Sequence, residues 1–210
     1  QFEGHNFRER SRITVGLIYY GDESIAYTRN FIQAQHQLEV EFGSRIATVA
    51  LRNVPEADVA THLQWLIDQG CNLIVTTSYG YSKVAREMAQ RHPGVVFCQA
   101  TGDNANLEPL VPNYHTFMGS IYQGRYATGV AAGLKLKELI DKGALTPDKA
   151  VLGYVAAYPV PEVISGYTAF LLGARSIVPE AVMRVKYIRS WNNFVREKEA
   201  AQMLFNGGAV

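Results

Sequence analysis

Charge of one sign is scarce in this 210-residue chain: 20 Lys and Arg stand against 19 Asp and Glu, a formal net charge of +1. A nucleic-acid binder carries a basic excess or stripe, so no nucleic-acid partner is expected. Cysteine is nearly absent. Cys71 and Cys98 each lie in an apolar, strand-like run and read as small buried hydrophobes, which leaves the redox compartment open. No Asn-x-Ser/Thr acceptor occurs. Apolar runs are of strand length, short of the ~18 residues that cross a bilayer, so no membrane span is expected. The five histidines (5, 36, 62, 92, 115) are scattered without an i,i+4 pair, and neither H-E-x-x-H nor C-x-x-C is present, so no metal site is expected. No phosphate loop exists, and no G-x-G-x-x-G follows the first strand. There, Gly21-Asp22-Glu23-Ser24 places an acid where a pyrophosphate would sit. With no G-x-S-x-G elbow either, the reading is of a protein that is not an enzyme and uses no cofactor.

What is present is a globular composition, 48% hydrophobic with 18 Gly and 8 Pro, which excludes a collagen-like or disordered chain. Residues 1–12 are polar and charged, with no apolar h-region. They read as a linker or tether; either the protein is cytosolic or a targeting segment was removed ahead of residue 1. From residue 13, strand and helix alternate. Strands are expected at 13–20 (ITVGLIYY), 45–54, 71–77, 95–100 and 115–121. A helix capped by Ser24 follows the first strand, with Phe31, Ala34, Leu38 and Phe42 on its apolar face and Gly43 as its stop. The second helix opens at Pro55-Glu56-Ala57-Asp58 and buries Val59, Leu63, Leu66 and Ile67. The third carries Tyr81, Val84, Ala85 and Met88. A long helix at 122–142 is rich in small residues: Gly129, Ala132 and Gly133.

Such strands, apolar on both faces and separated by helices, make a doubly wound parallel α/β lobe. The Gly/Pro/charged stretch 142–149 reads as a boundary, giving lobes at 13–148 and 149–210. The pattern then restarts, with strands at 151–157 and 182–190 and helices at 162–177 and 196–206. The last helix ends Leu204-Phe205-Asn206-Gly207-Gly208-Ala209-Val210, as the second ends Leu66-Ile67-Asp68-Gln69-Gly70-Cys71-Asn72. Both are helix, glycine, next strand. The second lobe is therefore expected to be incomplete in this chain.

Ligands of doubly wound sheets sit outside the carboxyl ends of the strands. Asp22, Ser24 and Tyr27 follow the first strand, and Ser78 and Tyr79 the third. Tyr122 and Arg125 follow the fifth, and Tyr158 and Glu162 the first strand of the second lobe. Aromatic faces can sandwich a flat apolar ring while carboxylates and hydroxyls fix its polar rim. Each residue also has a structural reading. Asp22 can be a turn former, Glu162 a helix N-terminal acid, Arg125 an ion-pair partner, and the tyrosines amphipathic packing.

Two segments carry a family resemblance. Gly119-Ser120-Ile121-Tyr122-Gln123-Gly124-Arg125-Tyr126-Ala127-Thr128-Gly129 resembles the Y-Q-x-R-Y-x-x-G segment of the basic membrane protein family. Gly153-Tyr154-Val155-Ala156-Ala157-Tyr158-Pro159-Val160-Pro161-Glu162-Val163 resembles its G-Y-V-A-A-F-P-x-P-E-V segment. Asn53-Val54-Pro55-Glu56 and Thr77-Ser78-Tyr79-Gly80-Tyr81 fit as well. The resemblance implies an ABC-transporter substrate-binding lipoprotein of the periplasmic-binding-protein type I fold. Its two lobes close on a small planar ligand, a purine nucleoside or nucleobase in characterised branches. It further implies an ABC permease as partner and an extracytoplasmic location held by a lipid anchor. Tyr27 and Tyr158 become stacking faces, and Asp22, Ser78 and Glu162 polar contacts. The chain departs from the family at Ile25-Ala26, where an amide side chain is usual, and at Gln99-Ala100-Thr101, where nucleoside binders carry an acid. The alternative is the same fold serving as the sensing domain of a signalling or transcriptional regulator.

Overall fold

The computed structural model describes residues 12–210. The linker assigned to residues 1–12 therefore lies, apart from Arg12, outside the described residues. The chain divides into two compact units, one ending at Met118 and one running Gly119–Val210.

The first unit is built on five parallel strands: β1 (Ile13–Ile18), β2 (Ile46–Leu51), β3 (Leu73–Thr76), β4 (Val96–Ala100) and β5 (Tyr114–Phe117). They pair in the order β2-β1-β3-β4-β5. Helices α1 (Ala26–Phe42), α2 (Val59–Asp68) and α3 (Ser82–Arg91) make the crossovers. Side chains alternate across β1, and each face has its own core. Ile18 packs with Val59, Leu63 and Leu66 of α2 and Ala85 and Met88 of α3. Val15, Leu17 and Tyr19 pack with Ile32 of α1. Helices thus cover both faces, as an all-parallel sheet requires.

Helix α1 departs from expectation in two ways. It buries Thr28, Ile32 and Gln35, and leaves Leu38 exposed. Gln35 can be buried because its amide is fully engaged. Its oxygen accepts from the Tyr19 hydroxyl at 2.9 Å, and its nitrogen donates to Glu39 and Thr48 at 2.8 and 3.2 Å. Ser24 is not the cap. The N-cap is Ile25, with no side-chain bond, and the Ser24 hydroxyl donates to Asp22 instead.

The second unit holds α4 (Ile121–Asp141), β6 (Val151–Ala156), α5 (Pro161–Arg175), β7 (Val182–Tyr187) and α6 (Phe194–Asn206), with β6 and β7 parallel. Its core gathers Leu136, Leu152, Ala174 and Val178. A boundary at 142–149 does not describe this arrangement, because α4 belongs to the second unit. Its small residues are the reason. A Cβ at Gly129 would overlap the Phe170 carbonyl, one at Gly173 would overlap the Tyr126 carbonyl, and one at Gly133 would lie 2.7 Å from the Ala174 oxygen. Backbone meets backbone here, and the stretch 142–149 is only the turn from α4 into β6.

The helix–glycine–strand repeat is structural. Gly70 and Gly208 both have positive φ, +81° and +90°. Cys71 N–H donates to Leu66 as Ala209 N–H does to Leu204, and Asn72 N–H donates to Thr14 as Val210 N–H does to Val151. Gly16 in β1 and Gly153 in β6 each face that leucine and the residue after the positive-φ glycine. The two units thus leave their second crossover helix, α2 and α6, by the same turn.

Two substitutions separate close approach from helix propensity. Gly173→Ala should cost about 1–3 kcal/mol through overlap with α4. Gly124→Ala, also helical but with nothing near its would-be Cβ, should stabilise by about 0.5–1 kcal/mol. Urea denaturation of the full chain measures both.

Candidate functional site

In the first unit the carboxyl ends of the strands carry a polar cluster. Asp22 lies in the turn after β1. One of its oxygens accepts from the Ser24 amide at 2.9 Å and the Ser24 hydroxyl at 2.6 Å, and the other accepts from the Asn53 side chain at 3.3 Å. These bonds, the Ser24 hydroxyl foremost, hold the Asp22 carboxyl below the ordinary aspartate range. Tyr27 stands on the first turn of α1, partly exposed, its ring edge-on to Phe31 at 5.0 Å. After β3, Ser78 is buried and donates to Glu56. Tyr79 follows, and its hydroxyl donates to Asp103 at 2.9 Å.

Other tyrosines at this edge have structural roles. Tyr19 is fully buried against Gln35, and burial pushes its phenol up to about 12. Tyr81 is buried and donates to the Val54 carbonyl. Gln99 is structural as well, bonded through its amide to Thr76, Ser78 and Ala100. The carboxylate near the end of β4 is Asp103, in the loop that follows.

In the second unit the contacts step along two helices together, Arg125 on Gly166, Gly129 on Phe170 and Gly133 on Ala174. Helices α4 and α5 therefore run parallel, and their first turns share the end at which β6 finishes. Tyr122 and Arg125 stand exposed on the opening turns of α4, and Glu162 lies in the first turn of α5 behind Pro161. Tyr158 lies in the β6–α5 loop and packs on Trp191, with ring centroids 4.9 Å apart and tilted by 55°. The structure thus brings Asp22 directly onto Ser24, and gathers Tyr122, Arg125, Tyr158 and Glu162 at one end of the second unit.

Glu56, Asp103 and Trp191 escaped the sequence reading. They follow β2, β4 and β7, whereas the expected site residues follow the first, third and fifth strands and the first strand of the second lobe. The carboxyl-end rule points to these loops, but the residues themselves stand out only through their partners Ser78, Tyr79 and Tyr158. Backbone strain marks the same places. The non-glycine residues with positive φ, among those described, are Asn53, Thr101 and Arg189. Each lies just beyond β2, β4 or β7. Asparagine tolerates this region, but for a β-branched threonine it costs on the order of 1–3 kcal/mol, which the surrounding structure must hold in place.

Polar and aromatic side chains thus stand at the carboxyl ends of the strands in both units, the edge at which ligands of doubly wound sheets bind. A solute-binding protein of an Aeropyrum pernix K1 ABC transporter has the same fold. The TM-score is 0.76 at 15% identity, over 94% of this chain and 53% of that one. The fold is that of the type I periplasmic binding proteins. The model of the Bmp family, PnrA-like ABC transporter substrate-binding proteins, matches residues 23–210, and the chain belongs to that family. It is a family of substrate-binding proteins, not of enzymes.

A purine-binding protein of Brucella abortus (strain 2308) is 32% identical over 199 residues, 94% of this chain and 52% of the relative. A Haloferax volcanii protein, named as a candidate glucose-binding component of an ABC transporter, is 34% identical over 137 residues, 65% of this chain and 31% of the relative. The chain spans about half the length, or less, of these curated relatives.

The Asp22 cluster predicts a pH signature. A carboxyl whose pKa is lower folded than unfolded stabilises the fold above the unfolded value, and that contribution fades as pH falls through the folded value. The side-chain carboxyl carbon of Asp22, followed by NMR, should titrate below the ordinary aspartate range. Ser24→Ala should raise that midpoint and leave the other aspartates unmoved.

Proposed function

We propose that the chain is the substrate-binding component of an ABC transporter. It binds a small planar ligand, a purine nucleoside or nucleobase, through the side chains at the carboxyl ends of its parallel strands. The observation that carries this reading is the Tyr158–Trp191 pair at the end of the second sheet, with Glu162 on the helix that follows. An aromatic face in the loop after β6, with a carboxylate in the first turn of the helix that follows, suits a flat ring with an N–H-bearing rim. The purine-binding Brucella relative supports the same ligand class.

In this reading Tyr27 and Tyr158 supply ring faces. Asp22, Ser24, Ser78, Tyr79 and Glu162 supply polar contacts, and Tyr122 and Arg125 complete the set of ligand-binding residues. The protein works outside the cytoplasm, held by a lipid anchor, and hands its ligand to a membrane permease. Among the described residues no helix is long and apolar enough to cross a membrane.

Calorimetric titration of the full-length protein with adenosine, guanosine, hypoxanthine and glucose tests the ligand. Purines should bind, and Tyr158→Ala should weaken them by about 1–3 kcal/mol, the usual worth of stacking a base on an aromatic ring. Binding of glucose with no response to any purine would overturn the assignment in favour of a sugar.

A further inference from the structure

Glu56 stands outside every residue assigned to the ligand above, yet it organises two of them. It opens the short turn after β2, directly behind Pro55. One of its carboxylate oxygens accepts the Ser78 hydroxyl at 2.5 Å and the Gly80 amide at 3.1 Å. A side chain at residue 80 would overlap that carboxylate, so the approach depends on glycine. Deeper in, the buried Tyr81 hydroxyl donates to the Val54 carbonyl. The ends of β2 and β3 are therefore joined twice, once in the core and once at the rim. Tyr79 lies between the two residues that Glu56 holds, and its hydroxyl donates to Asp103 beyond β4.

We propose that Glu56 is a positioning residue of the ligand-binding edge, one that fixes the Ser78–Gly80 turn and sets its hydrogen-bonding polarity. The inference rests on the ligand reading above. A hydroxyl has one proton to give. Glu56 takes that of Ser78, and Asp103 takes that of Tyr79, so both oxygens offer a ligand only lone pairs. Asp103, which takes the Tyr79 proton, is an acceptor too. This edge selects the N–H and O–H groups of a ligand and rejects phosphate oxygens, which are acceptors and anionic. At this turn a nucleoside or base is favoured over a nucleotide.

The test uses the full-length protein, with adenosine and adenosine 5′-monophosphate as probes, and Glu56→Ala, Glu56→Gln and Gly80→Ala as variants. Wild type should bind adenosine at least about tenfold more tightly than the monophosphate. Glu56→Ala and Gly80→Ala should each lose about tenfold or more in adenosine affinity, with Glu56→Gln, which keeps one acceptor oxygen, in between. Amide hydrogen exchange of the ligand-free variants supplies a readout independent of any ligand. Exchange at Gly80 should quicken in Glu56→Ala while exchange in β1 and β4 stays as in wild type.

Unchanged exchange at Gly80 would overturn the positioning role whatever binds. Quickened exchange with unchanged adenosine affinity would remove the turn from the site. Tight binding of the monophosphate would overturn the polarity argument. Wild type that binds neither probe, with exchange altered as expected, would leave the tie standing and overturn the purine reading.

Discussion

Parallel pairing of β1 with both β2 and β3 is the constraint on which the first unit depends. Parallel strands all finish at one edge, and each needs a crossover helix to return. With β1 between β2 and β3, the chain leaves it toward β2 and comes back on its other side as β3, which puts α1 on one face and α2 with α3 on the other. The crevice between diverging crossovers falls at the end of β1, where Asp22 and Ser24 lie. Neither residue is placed by its own preference. Both are placed by the order in which strands can be added without leaving a face bare.

Much of this architecture was legible in the residues. The apolar runs gave each strand to within a few positions, and the glycine stops gave the ends of α1 and α2. The recurrence of helix, glycine and strand at residues 70 and 208 anticipated turns that share their hydrogen bonds. What could not be read was whatever depends on a partner distant in sequence. Gln35 looks like a surface residue until Tyr19 and Thr48 arrive to satisfy its amide. The unit that α4 joins is decided by which backbone its glycines can approach, and Phe170 and Tyr126 are more than forty residues apart in the chain. Glu56, Asp103 and Trp191 are ordinary residues in isolation. Each acquires a role through Ser78, Tyr79 and Tyr158 in turn, none of which is its neighbour in sequence.

Close backbone approach and local strain recur where the structure is most specific. Glycines at 129, 133 and 173 let α4 and α5 touch with no side chain between them, while Gly80 lets a carboxylate reach into a turn. Positive φ at Asn53, Thr101 and Arg189 bends the chain sharply at the ends of β2, β4 and β7. A protein selected for stability alone would have relaxed these positions. Their placement at strand ends fits a site whose side chains must be held at fixed angles, since loops are otherwise the least constrained parts of a fold.

The two units share the turn that ends α2 and α6 but finish their strands with different chemistry. In the first, the ends carry Asp22, Glu56, Ser78 and Asp103, a set rich in lone pairs. In the second they carry Tyr158 and Trp191, a set rich in ring faces. Aromatic contact is tolerant of which ring it meets, whereas hydrogen-bond polarity is not, because a mismatched acceptor leaves two lone pairs facing each other with nothing to relieve them. On the proposed reading, affinity and selectivity are therefore separable. Ring faces hold any flat ligand of suitable size, and hydrogen-bond acceptors decide which one stays. That division follows from chemistry placed on a common scaffold, and it explains how one family fold can accommodate different ligands by changing a few residues at strand ends while leaving the sheets alone.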